Sequence, residues 1–261
     1  GINIDKEIGA TTWRYMQKGY DEARKAGAAA IILRLNTYGG TVVHADSIRT
    51  LILNSSMPVY AFIDNNAASA GALIAISCDS IYMREGANIG AATVVNQTGK
   101  AMPDKYQSYM RATIRSTAEA QGYDTVYTVS GDTEVHWRRN PQIAEAMVDE
   151  RIVVPGLCDS TEVLTLTARE ALQWGYCEAI AESVDDIITS RLGYWQYKVE
   201  QFEPSFYDDL VGFLQNPVVQ GILIMLIIGG IYFEIQTPGV GFPLAVSVIA
   251  AILYFAPLYL S

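Results

Sequence analysis

Ala30-Ile31-Ile32-Leu33-Arg34-Leu35-Asn36-Thr37-Tyr38-Gly39-Gly40 decides the fold. Its first six residues are an almost unbroken apolar run, the pattern of a strand buried on both faces of a parallel sheet. The two glycines then free the backbone to turn, and a helix follows from about Val42 to Leu53. The same order returns around it. Pro58–Ile63 reads as a strand ended by Asp64, and the small residues Ala67–Ala72 open an apolar helix to about Ser77. Ser80–Met83 reads as another strand. Ile2–Ile4 is a short strand before a helix at 11–26. Further helices are expected at 104–121, 140–149, 167–174 and 183–192, with a strand at 177–181. Strands alternating with helices at this spacing imply βα units on a parallel sheet.

The chain has 261 residues, 18 basic and 28 acidic, for a net charge of −10. That balance argues against a nucleic-acid binder, which needs a basic face for phosphates. Cys78, Cys158 and Cys177 are widely spaced and odd in number, and His44 and His136 are the only histidines. Neither a disulfide framework nor a metal site is expected, and no cofactor.

From Val218 to Ser261 the only charged residue is Glu234. Val218–Phe233 and Gly241–Leu260 are two apolar runs separated by a Pro238-Gly239 turn. A bilayer core needs roughly 20 helical residues, so the second run fits and the first is short. A buried core hairpin is the alternative, but core helices keep a polar stripe that these lack. The expected organisation is a catalytic or binding domain at 1–193, a juxtamembrane connector at 194–217 and two transmembrane helices at 218–261.

Three places at strand ends could carry chemistry, because helix N-termini there present unpaired N–H groups. Gly39-Gly40 could offer donors to an oxyanion, or could simply make a tight turn. Ser69, in Ala67-Ala68-Ser69-Ala70-Gly71, has small neighbours and an approachable hydroxyl, or is a packing residue. A nucleophilic serine needs a base. His44, His136 and Lys105 are candidates, and Lys105 opens a helix whose dipole disfavours its proton.

Leu35-Asn36-Thr37-x-Gly39-Gly40, Ala67-Ala68-Ser69-Ala70-Gly71 and Ile89-Gly90-Ala91, in that order and spacing, resemble the ClpP-class membrane serine proteases of the NfeD family. The resemblance continues through Ala144–Val148, Leu164–Leu172 and Phe233–Gly239. It implies a ClpP/crotonase-type α/β fold of repeated ββα units with a membrane hairpin, and a serine–lysine dyad. Ser69 is then the nucleophile, Lys105 the base, and Gly39, Gly40 and Ala70 surround the oxyanion. It also implies a hydrophobic, stomatin-like substrate or partner, a homo-oligomer, and a multi-pass cell-membrane location with the protease domain outside the cytoplasm. A non-catalytic scaffold binding a stomatin-like protein is the second reading, and a crotonase-type acyl-CoA enzyme the third. Two departures stand out: Tyr38 occupies a position where relatives usually have proline, and residues 123–138 look inserted. Strand-formers around Ser130-Gly131-Asp132 predict a hairpin arm there, contacting substrate or a second subunit.

Overall fold

A computed structural model describes residues 1–129 and 131–260 as two units, Gly1–Phe202 and Glu203–Ser261. The first begins with β1 (Ile2–Ile4), α1 (Ala10–Lys25), β2 (Ile31–Thr37), α2 (Val42–Leu53), β3 (Val59–Ala68), α3 (Ala70–Ser77), β4 (Ser80–Met83) and β5 (Asn88–Gly90). It continues with α4 (Asp104–Glu119), β6 (Tyr123–Tyr127), β7 (Thr133–Trp137), α5 (Pro141–Ala146), β8 (Thr165–Thr167), α6 (Ala168–Gln173), β9 (Ala179–Ile180) and α7 (Val184–Asp186), the last running into a π-helical turn at Ile187–Arg191.

The expected α/β fold is observed. The central sheet runs β1-β2-β3-β4-β9, all parallel, with β5 parallel to the far end of β3. One strand departs from the parallel pattern: β8 pairs antiparallel with β5. A second difference is the length of β3. Asp64 does not end it. The strand pairs with β4 through residue 63 and then exchanges that neighbour for β5 at residues 66–68. Its polar middle is tolerated because the Asp64 carboxylate accepts bonds from the Arg34 guanidinium and forms an ion pair with Arg84.

Every residue of α3 is buried, so its apolar composition has no solvent face to serve. Its carboxyl end is closed by Arg139, which is fully buried and donates to the carbonyls of Ile76 (2.8 Å) and Cys78 (2.7 Å). A cation at that end also suits the helix dipole. Leu73 and Ile74 of this helix share the main core with Leu33, Leu35 and Ile63 of the sheet. The short helix α6 carries the sequence-readable start signal, with Thr167 and Glu170 forming a reciprocal capping box.

The expected connector is divided between the two units. Phe202 folds back on β1, its N–H donating to Gly1 O and its ring meeting Tyr15 at 4.9 Å. The second unit then opens with α8 (Phe206–Gln215), unforeseen in the sequence reading although Ser205 and Asp208 form a capping box at its start. It continues through α9 (Pro217–Gln236), α10 (Phe242–Phe255) and α11 (Pro257–Leu260).

The first apolar run lies in a helix longer than its 16 residues, because Asn216 caps α9, Pro217 starts it and the helix continues through Gln236, giving 20 residues. The second span covers Phe242–Leu260. α9 and α10 pack where Gly230 leaves room: a Cβ there would lie 2.5 Å from Pro243 O. Glu234 faces the turn, accepting from the Gly241 N–H at 3.3 Å. Most of both helix surfaces is exposed and apolar, which suits lipid rather than a protein core.

Candidate active site

β2 ends against the carboxyl end of β3, and here the Gly39-Gly40 turn meets Ser69. Thr37 shapes the turn: buried, it donates its hydroxyl to Lys6 O at 2.8 Å and accepts the Gly39 N–H at 3.1 Å. Gly39 has φ 114°, and a Cβ on it would lie 2.7 Å from Ser69 Cβ and 3.1 Å from Ser69 Oγ. Gly40 is hemmed in by backbone, since a Cβ there would sit 2.0 Å from Ile8 O. Only glycine brings the chain this near the serine.

Ser69 is the N-cap of α3 with φ 54° and ψ −119°, a conformation that a side chain rarely takes. Such strain costs of order 1–3 kcal/mol and persists where the surroundings enforce it. Here they do: the Ser69 N–H donates to Gly90 O at 2.9 Å, and Ala72 N–H donates to Ser69 O at 3.0 Å. Ala91 repeats the strain with φ 49°, its N–H donating to Leu164 O. The Ile89-Gly90-Ala91 motif marked this segment, but its strained backbone is visible only in the fold.

The donors available to an anion can be sorted. Gly39 N–H is used by Thr37. Ile8 N–H donates to Gly39 O, and Thr41 N–H donates to Ile8 O, so the bridge with Ile8 leaves the Gly40 N–H out. Ala70 N–H is the first of α3, where no preceding turn can accept it. Among the described residues neither Gly40 N–H nor Ala70 N–H has a hydrogen-bond acceptor, and the half-buried Ser69 hydroxyl is likewise unpaired.

The structure brings Ser69, Gly39, Gly40 and Ala70 together, but it does not hydrogen-bond Lys105 to Ser69. Lys105 lies exposed in the first turn of α4, its Nζ 4.9 Å from the centre of the Tyr106 ring. Side chains fix the segment around it. Gln107 accepts the Val94 N–H (2.9 Å) and donates to Val94 O (2.7 Å) and Met102 O (3.1 Å), closing the 94–102 loop onto α4. Arg151 bridges Asp104 (2.8 Å) and Asp149 (2.7 Å), and Arg111 pairs with both carboxylates. Those bonds, the Arg151 one foremost, lower the Asp149 carboxyl to about 2. Gln107 and this ionic cluster were missed in the sequence, where their partners lie up to 47 positions apart.

The histidines are placed elsewhere in the bonding network. His44 Nδ1 meets the Thr41 hydroxyl at 2.5 Å, and His136 lies on β7 beside Glu134. No cluster of three or more metal-ligating side chains is found among the described residues.

Comparison with known proteins adds to this geometry. Residues 1–136 match the N-terminal domain of NfeD1b, and residues 218–261 match the NfeD integral membrane domain. Membrane protein NfeD1b of Bacillus subtilis is 32% identical over 97% of the chain and 54% of its own length. Membrane-bound protease PH1510 of Pyrococcus horikoshii is 28% identical over 96% of the chain and 56% of its own length. The chain therefore spans about half the length of both relatives. Among solved structures, a lysine-to-alanine mutant of the 1510-N membrane-bound stomatin-specific protease, in complex with a substrate peptide, superposes with a TM-score of 0.64 at 26% identity, covering 82% of this chain and 95% of that one. A serine-to-alanine mutant of the same protease gives 0.63 at 26% identity, over 78% and 96%.

Proposed function

The chain belongs to the NfeD family of membrane proteins, and from that premise we propose that it is a membrane-anchored serine endopeptidase whose Ser69 is the nucleophile and Lys105 the base. The observation that carries the reading is the strained Ser69 turn, its hydroxyl packed against Gly39 beside the unpaired N–H groups of Gly40 and Ala70. Attack by Ser69 Oγ on a peptide carbonyl makes an oxyanion, and donors already in place stabilise it without reorganisation. Lys105 takes the serine proton and returns it to the leaving amine. To do so its ammonium must leave the Tyr106 ring, lose water and become neutral. Substrate or a neighbouring subunit supplies that cover.

The substrate class proposed is a hydrophobic segment of a membrane-associated, stomatin-like protein. It is supported by the stomatin specificity of the 1510-N protease and by the alanine replacements of a lysine and a serine in its solved forms. The apolar pair α9–α10 anchors the chain as a two-pass hairpin, with the protease unit outside the cytoplasm.

Ser69→Ala and Lys105→Ala, assayed on a hydrophobic peptide, each lose about a thousandfold or more in kcat/KM, with melting temperatures near the parent's. Parent-like cleavage by both variants rejects the dyad. One observation favours a second reading: Lys105 is exposed and unbonded to Ser69, as in a scaffold that binds a stomatin-like protein without cleaving it. A parent that captures that partner and never cleaves it identifies the scaffold.

A further inference from the structure

The β6–β7 arm has no part in the chemistry proposed for Ser69. All ten of its strand residues are exposed. Tyr123, Thr125, Tyr127, Thr133, Val135 and Trp137 share one face by strand alternation, with Tyr123 and Trp137 stacked at 4.0 Å. Asp124, Val126, Glu134 and His136 share the other. A lone two-stranded ribbon is marginal in water, so an arm of this kind calls for more strands.

The hydrogen-bond phase shows which edge can take one. Thr128 N–H donates to Asp132 O, and Arg138 N–H donates to Gly122 O. Both pairs extend the register Tyr127↔Thr133 and Tyr123↔Trp137, so the pairs of even-numbered residues exchange the ladder bonds. The N–H and C=O groups of Thr133, Val135 and Trp137 therefore point outward along the free edge of β7. Edge strands are usually protected by proline, lysine or a bulge. Thr133-Glu134-Val135-His136-Trp137 has none of these.

We propose that this edge pairs antiparallel with the same edge of a second copy of the chain, about a two-fold axis at Val135. Val135 then exchanges both backbone bonds with Val135 of the second copy, and Thr133 with Trp137, for about six new ladder bonds. The intervening close pairs set Glu134 beside His136 of the second copy, twice by symmetry. Opposite side chains in such pairs attract and like ones repel. Glu134 Oε2 already meets His136 Nε2 of its own strand at 3.0 Å, and the central register lets the same two side chains pair across the axis, whereas slipping by two residues sets Glu134 against Glu134, or His136 against His136. The β6 edge lacks this self-complementarity, since pairing about Thr125 sets Asp124 against Val126. The result is a four-stranded sheet whose apolar faces are continuous across the axis. It stands independently of the serine–lysine reading.

The full chain in nanodiscs or detergent, followed by sedimentation velocity, tests it. The parent is a dimer. Val135→Pro removes the central N–H and weakens the dimer about tenfold or more. Glu134→Lys and His136→Glu each weaken it alone, and mixing the two restores a dimer, because each then offers the other opposite charge. Circular dichroism melts establish that every variant is folded, and if Val135→Pro is not, the mixing experiment decides alone. A monomeric folded parent, or a dimer indifferent to these changes, overturns the proposal. So does an unchanged assembly that instead loses capture of a hydrophobic peptide, which assigns the arm to substrate.

Discussion

The serine side and the lysine side of the candidate site are made by opposite means. Ser69 is held by backbone: a strained φ of 54°, a bond to Gly90 O, and glycine surfaces with no space for a Cβ. Lys105 is placed by polar side chains, Gln107 and the Asp104–Arg151–Asp149–Arg111 cluster, and its own ammonium stands in solvent. Backbone packing fixes a nucleophile regardless of conditions. A base held by a polar network is adjustable, because each tie is individually replaceable and responds to water, charge and pH.

Three experiments press on that contrast. The largest effect is expected on the serine side. Gly40→Ala drives a Cβ into Ile8 O, and the turn must open, at a cost of roughly 3 kcal/mol or more in stability and most of the activity. Chemical denaturation with a parallel peptide assay measures both, and a stable, active variant breaks the claim that the turn is sterically closed.

On the lysine side, Gln107→Ala leaves the Val94 and Met102 groups without their partner. A loss of about 1–3 kcal/mol is expected, with a fall in kcat larger than any change in KM. Hydrogen exchange at Val94 should accelerate while that at Ser69 does not. Equal acceleration at both would erase the distinction.

The smallest effect concerns acid. Asp149 has its carboxyl lowered from an ordinary value near 3.8 to about 2. A depressed carboxyl stabilises the fold fully above its unfolded value and loses that contribution as pH falls through the folded one. The melting-temperature gap between the parent and Asp149→Asn should hold from neutrality to about pH 4 and close between about pH 4 and 2. A gap constant to pH 2 would show that the cluster contributes no charge pairing.

The sheet was legible where apolar runs were continuous. Ile31–Leu35 and Ser80–Met83 declared themselves because both faces of a parallel strand are buried. β3 was cut short at Asp64 because polarity usually ends a strand, and its continuation depends on Arg34 and Arg84, which only the fold brings near. α8 lies within a polar-aromatic stretch, and only Ser205-x-x-Asp208 signals its start. In the site, the glycine pair and Ser69 could be picked out by small-residue motifs. Thr37, Gln107 and the Asp149 cluster could not, because their meaning lies in partners distant along the chain.

Arg139 sits two residues beyond the last residue of β7 and seals the far end of the helix that begins at Ser69. Ser69 and the residue that follows the arm thus meet opposite ends of one buried helix of eight residues. Any displacement of Arg139 withdraws two hydrogen bonds from the carboxyl end of that helix, and hydrogen exchange along α3 reads that loss.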